Sequence, residues 1–234
     1  MSGGKIMNRE PFLNHLAEQL GRPRGKDSVS RPDWSSHPQR ELYGKLTDDE
    51  LVELFAEQCE TMQTVIKRTT ESALSETLEH MVETYGGGPI VASEDARFSE
   101  HGLSRFLERE DLSVWDPGEG RKNIERAERA NVGVTFCDAA LAESGTVVLF
   151  SRKGNGRTLN LLPKTYIAIV PKSAIVPRMT QAAMKIRGKI KNGEGVPSCV
   201  KFVSGPSNSA DIEMKSVVGV HGPVRAAFLI VTDR

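Results

Sequence analysis

An α/β fold, three layers deep with helices on both faces of a mixed sheet, is what this sequence predicts, and three observations predict it. From Pro89 onward, short β-rich runs alternate with helical patterns, as strands and covering helices do in α/β proteins. Two of the strand-like runs, 132–136 and 146–150, follow one another with no helix between them, which calls for an antiparallel component. The chain has 234 residues, 38% hydrophobic and 26% charged, enough to close one core with an arm attached.

The elements follow in order. Phe12, Leu16 and Leu20 recur every four residues in a short helix over 8–20 that Gly21 is placed to stop. Residues 22–40 hold four Arg, three Pro and four Ser with no period, and read as a linker or extended arm. Residues 1–47 are therefore expected to form an N-terminal helix and arm, and residues 48–234 the α/β domain. Thr47 with Glu50 makes a capping box ahead of a long helix expected over 48–67. A second helix, over 72–85, ends in Gly86-Gly87-Gly88. Beyond it, strands are expected at 90–92, 112–115, 132–136, 146–150, 167–170, 200–203 and 226–231, and helices at 96–109, 121–130 and 177–190.

Several function classes drop out early. Thirty-one Lys plus Arg balance 31 Asp plus Glu, so no global charge draws the chain to nucleic acid or an anionic membrane. The longest apolar run, 226–231, is far below the roughly 20 residues a bilayer span needs. The first eleven residues lack the apolar core of a signal peptide, and no Asn-x-Ser/Thr acceptor occurs, so a cytoplasmic protein is expected. Cys59, Cys137 and Cys199 are too scattered for a zinc or iron–sulfur cluster and read as buried reduced thiols. Residues 21–27 and 154–159 superficially resemble nucleotide loops, but neither has the full spacing. The cations Lys185, Arg187, Lys189 and Lys191 complement the end of a helix without needing a ligand.

Candidate chemistry gathers in two segments where small, polar and charged residues interrupt strand patterns. The first is Ala142-Glu143-Ser144-Gly145-Thr146. The second is Gly205-Pro206-Ser207-Asn208-Ser209-Ala210-Asp211-Ile212-Glu213, completed by Gly219-Val220-His221-Gly222-Pro223. Ser207, Asn208 and Ser209 are plausible caps of a short helical turn whose free N–H groups would suit a carboxylate or phosphate; capped surface acids are the structural alternative. His221 between glycines has the chemistry of a proton shuttle, or of a turn histidine bonded to a carbonyl. Glu143 is a candidate nucleophile or base, or else a capping carboxylate.

These segments resemble the lactate-utilisation (LUD) domain family, and the N-terminal arm and length are similar to its LutC (YkgG-like) branch. The resemblance implies a sheet of the ribose-phosphate isomerase, glucosamine-phosphate deaminase and CoA-transferase type. It also implies a part in carbon metabolism, the oxidation of L-lactate to pyruvate, beside two iron–sulfur partner proteins (LutA-like and LutB-like). With no complete dinucleotide loop and no cluster cysteines, this chain is expected to carry no cofactor and to act as an accessory subunit, with the iron–sulfur clusters in the partners. The alternative is a CoA-transferase-like or small-carboxylate-binding enzyme using Glu143. Either way Glu143 and His221 are the expected catalytic residues. Gly145, Thr146, Gly205, Ser207, Asn208, Ser209, Asp211 and Glu213 are the expected substrate contacts, with Glu143, Ser207, Asp211, Glu213 and His221 meeting in one pocket. No metal site is expected.

Overall fold

The structure, a computed structural model, describes residues 7–21, 32–212 and 214–234, with the side chains of 211 and 212 left aside. The reading of 22–31 as an extended arm, and most of the loop-like stretch 21–27, lie outside the described residues. The chain divides into two compact units, Met1–His37 and Pro38–Arg234. The first holds α1 (Arg9–Gln19), followed by Gly21 at φ +61°.

The second unit runs α2 (Pro38–Glu41), α3 (Asp48–Thr61), β1 (Val65–Thr69), α4 (Leu74–Thr84), β2 (Ile90–Ala92), α5 (Arg97–Glu100), α6 (Ser104–Leu107), β3 (Leu112–Val114), α7 (Arg121–Arg129) and β4 (Val132–Phe136). It continues with β5 (Ala139–Leu141), β6 (Thr146–Phe150), β7 (Thr165–Pro171), β8 (Ile175–Val176), α8 (Met179–Lys191), β9 (Val200–Val203), β10 (Asn208–Ile212), β11 (Lys215–Val218) and β12 (Arg225–Val231).

Six strands form a parallel sheet in the order β1-β12-β7-β4-β2-β3. Its central strands β4, β7 and β12 are buried almost throughout, the pattern of a parallel sheet covered on both faces. Alternation along them sends Val134, Phe136, Ile167, Ile169, Ala227 and Leu229 to a core under α4, α5 and α6. Tyr166, Ala168, Val170, Phe228 and Ile230 face the other way, onto α3 and a second sheet. That second sheet, β8-β5-β6-β9, carries the antiparallel pairings β5/β6 and β6/β9, and α8 covers its far side through Ala182 and Ile186. The fold class is thus α/β as the sequence predicts, with the antiparallel part housed in a sheet of its own.

Three local expectations change. The helix expected over 48–67 stops at Thr61, and Val65–Thr69 becomes an edge strand paired with β12. Gln63 at φ +57° makes the break, and the β-branched Val65 and Ile66 then pair with β12, with Ile66 half-buried. The helix expected over 96–109 is two short helices parted by Gly102 at φ +71°. Residues 207–212 do not form a capped helical turn; β10 and β11 make an antiparallel hairpin, with Met214 at φ +57° just ahead of β11. Val217 and Val218 in β11 favour the extended form.

The capping box is present: Glu50 N–H donates to Thr47 Oγ1 at 3.3 Å, and Thr47 N–H to Glu50 Oε2 at 2.7 Å. Because α3 buries Leu51, Val52, Phe55 and Cys59 in the core, loss of its cap reaches the whole domain. Thr47→Ala is expected to lower the thermal midpoint by about 3 °C, measurable by calorimetry.

Candidate functional site

Parallel α/β sheets place ligands in the crevice past the carboxyl ends of their strands. Here that edge holds a cleft of about 510 Å³. Glu71 follows β1, Arg97 and His101 follow β2, Cys137 and Asp138 follow β4, Ser173 follows β7 and Arg234 follows β12; Lys185 reaches in from α8.

Arg97 is the fixed point. Its Nε and Nη2 donate to Asp95 Oδ1 and Oδ2 at 2.9 and 2.6 Å, and its Nη1 to the Cys137 carbonyl at 2.6 Å. Asp138 lies 3.6 Å away, and the guanidinium sits 5.1 Å from the Phe136 ring centroid. Burial works against charge on both partners, yet the bidentate bonds outweigh it: the carboxyl of Asp95 is held below the usual range and the guanidinium of Arg97 above. Asp138 also accepts from Phe150 N–H at 2.6 Å and from Arg152.

His101 also stacks on Phe136, at 5.3 Å, its Nδ1 3.2 Å from Glu71 Oε1 but poorly aligned for a hydrogen bond. Glu71 Oε2 accepts from Arg234 Nε at 2.5 Å. Lys185 is exposed and makes no ion pair among the described residues. A fixed guanidinium, an uncommitted ammonium and a His–Glu pair suit a small carboxylate whose neighbouring hydroxyl exchanges a proton.

The residues expected from sequence fall elsewhere. Glu143 accepts from Arg178 Nε at 2.5 Å and from Met179 N–H at 2.9 Å, so it caps the start of α8. Gly145 and Gly205 press against the end of α3: with φ of +58° and +78°, their missing Cβ atoms would lie 2.6 Å from Cys59 N and 2.2 Å from Met62 O. Thr146 Oγ1 joins the two motifs, 2.8 Å from Ser144 Oγ and 2.7 Å from Ser204 Oγ. Ser207 Oγ accepts from the backbone N–H of an exposed His221 at 3.2 Å, and Ser207 N–H donates to Pro223 O at 2.9 Å. Asn208 and Ser209 stand in the hairpin opposite Val218 and Val217.

Asp211 belongs to β10, with its side chain outside the description, and Glu213 lies outside the described residues. None of Glu143, Ser207 and His221 lines the cleft. The structure therefore ties the two motifs to each other and to α3, but does not bring Glu143 and His221 into the cleft. Asp138, Asp95 and Arg97 carry a signal in the sequence: charged residues two to five positions past the ends of the fully buried strands β2 and β4. Lys185, expected only to complement a helix end, lines the cleft as well. Among the described residues, no group of three or more His, Cys, Asp or Glu is placed to hold a metal, and no helix is long and apolar enough to cross a membrane.

The model of the LUD domain matches residues 52–231. A protein of Geobacillus sp. strain WCH70 named "Lactate utilization protein C" is 53% identical over 240 residues, spanning 100% of both chains. The protein of that name from Bacillus subtilis strain 168 is 49% identical, again over 100% of each. A crystal structure of a DUF162 family protein from Deinococcus radiodurans superposes with a TM-score of 0.58, covering 80% of this chain and 99% of that one at 18% identity, which bears on the fold alone. With the family model spanning residues 52–231, from within α3 to the end of β12, and relatives of about half identity along the full chain, the chain belongs to the LUD domain family.

Proposed function

We propose that this chain serves lactate utilisation in the cytoplasm as a subunit beside two iron–sulfur proteins, LutA-like and LutB-like, that together oxidise L-lactate to pyruvate, and that its strand-end cleft binds the small carboxylate. The observation that carries the reading is identity of about 50% along the full length of proteins named "Lactate utilization protein C". The cleft adds the chemistry: Arg97 held rigid by Asp95, with Lys185 free of ion pairs among the described residues, offers charge-assisted contacts to a carboxylate. What supports clusters on the partners is the state of this chain's thiols. Burial pushes Cys59 and Cys137 up to about 12, whereas iron ligation needs thiolate. A CoA-transferase-like role for Glu143 has less support, since both its carboxylate oxygens are occupied by Arg178 and the start of α8.

A bacterium that grows on L-lactate through this system tests the proposal. Deletion of the chain is expected to abolish growth on L-lactate and leave growth on pyruvate intact, and the returned protein to co-purify with iron–sulfur partners. Lys185→Gln, at an exposed position of α8, is expected to weaken L-lactate binding about tenfold by calorimetric titration with little change in the melting temperature. Normal growth of the deletion strain on L-lactate would overturn the proposal.

A further inference from the structure

The parallel sheet has a second pocket, at the edge opposite the cleft. About 460 Å³ opens past the amino ends of β2, β4, β7 and β12, lined by Tyr85, Gly88, Arg129, Asn131, Lys164 and Arg225 among others. That volume is in the range of small-molecule sites.

The frame of this pocket is backbone fixed by the sheet. Asn131 N–H donates to Pro89 O at 2.8 Å, Thr165 N–H to Asn131 O at 2.8 Å and Val224 N–H to Lys164 O at 2.9 Å, so the strand starts that carry the side chains are tied to one another. Asn131 Nδ2 donates to Tyr85 O at 3.0 Å and to Gly87 O at 2.7 Å, which holds the glycine loop against them.

Three cations line the pocket, Arg129, Lys164 and Arg225, and none of them makes an ion pair among the described residues. The acids nearby are committed elsewhere. Both oxygens of Asp111, beside Gly88, accept from Arg109 at 2.8 and 2.9 Å, and Glu83 stands 3.6 Å from the same guanidinium, which does not line the pocket. A chain whose charges balance overall thus keeps three uncompensated cations around one cavity with no carboxylate in its lining. Arg129, in the last turn of α7, answers the dipole of that helix. Lys164 and Arg225 stand at the starts of β7 and β12, where the backbone has little net dipole to answer.

We propose that this pocket binds a small phosphorylated molecule through Arg129, Lys164 and Arg225. Guanidinium groups grip phosphate oxygens two at a time, and a lysine adds a point charge on a movable stem. Three cations exceed the single charge of a monocarboxylate and match a phosphate ester or diphosphate, which carries about two negative charges or more at neutral pH. The half-buried Tyr85, its ring centroid 6.0 Å from the Arg225 guanidinium, adds an apolar wall for the organic part of such a ligand.

Pyrophosphate is the probe, titrated calorimetrically into the purified full chain at about 0.15 M salt, where diffuse surface attraction is largely screened. One saturable site per chain is expected. Affinity should fall about tenfold in each of Arg129→Gln, Lys164→Gln and Arg225→Gln, and stay unchanged in Lys122→Gln, an exposed cation on the same helix as Arg129. The three cations are exposed and lie on separate segments, so any two variants with wild-type melting curves suffice. No saturable binding overturns the proposal, as does an equal loss in Lys122→Gln, which would mean general surface charge. Citrate, with comparable charge on carboxylates alone, should bind at least tenfold more weakly; equal affinity for it overturns the assignment to phosphate. Because the pocket and the cleft lie at opposite edges of the sheet, none of these outcomes decides lactate binding or growth on lactate, which keep their own assays.

Discussion

Replacing Gly145 or Gly205 by alanine is expected to lower the thermal midpoint by roughly 10 °C, although neither glycine lies in the cleft. Two costs add at each position. The left-handed backbone, φ +58° and +78°, costs an alanine about 1 kcal/mol. The new methyl must also displace main chain rather than a movable side chain: Cys59 N at 2.6 Å from Gly145, Met62 O at 2.2 Å from Gly205. Overpacking of that kind costs about 2 kcal/mol, and about 3 kcal/mol in total corresponds to roughly 10 °C in a chain of this size. Gly87 provides the comparison, with φ +73° and nothing within 4 Å of its missing Cβ. Gly87→Ala should therefore cost only the backbone term, a few degrees. The comparison is read by differential scanning calorimetry of the three single variants. If Gly145→Ala and Gly205→Ala melt with Gly87→Ala, the close approach of both motifs to α3 is wrong.

Those two glycines also show why the fold was more legible than the site. Strands β2, β4, β6, β7 and β12 announce themselves because each is a short apolar or β-branched run, and their local pattern agrees with their burial. Other strands have too short or too mixed a run: β1 reads Val-Ile-Lys-Arg-Thr, β8 is only Ile-Val, and β5 is Ala-Ala-Leu, whose burial comes from packing on both its faces. Site residues are harder because proximity through the fold leaves no trace in spacing. Glu71, Arg97, Asp138, Lys185 and Arg234 reach one cleft from five separate parts of the chain. In the segments that looked most like a site, Gly145 and Gly205 answer a packing demand at the end of α3, and a glycine required by packing reads in sequence like one that makes room for a ligand.

Arg97→Gln is expected to show the second large effect, one that depends on pH. In the native protein the Arg97, Asp95 and Asp138 side chains are 23%, 7% and 10% exposed, so removing the cation leaves two screened carboxylates without their shared partner. Breaking a buried pair in this way costs about 3 kcal/mol near neutral pH. The pH dependence follows from Asp95. Its carboxyl is depressed in the folded wild type, because the bonds from Arg97 outweigh burial, so its contribution is present above the ordinary carboxylate range and is lost as pH falls through the folded value. In Arg97→Gln the bonds are gone and burial, the largest influence on this carboxyl, remains against only the weaker pull of Arg152, which reverses the shift: the folded carboxyl is expected to bind its proton more tightly than the unfolded one. Stability of the variant should then rise as pH is lowered from 7 toward 5, while the wild type stays flat or declines, and the gap between them should narrow. Arg97→Lys keeps the charge but loses the two-pronged geometry, so it should fall between the two at pH 7. Urea midpoints of the three proteins at pH 5, 6 and 7 decide the matter: a wild-type-to-glutamine gap that is constant across this range would mean that Arg97 acts through packing on Phe136 and not through the carboxylates it joins.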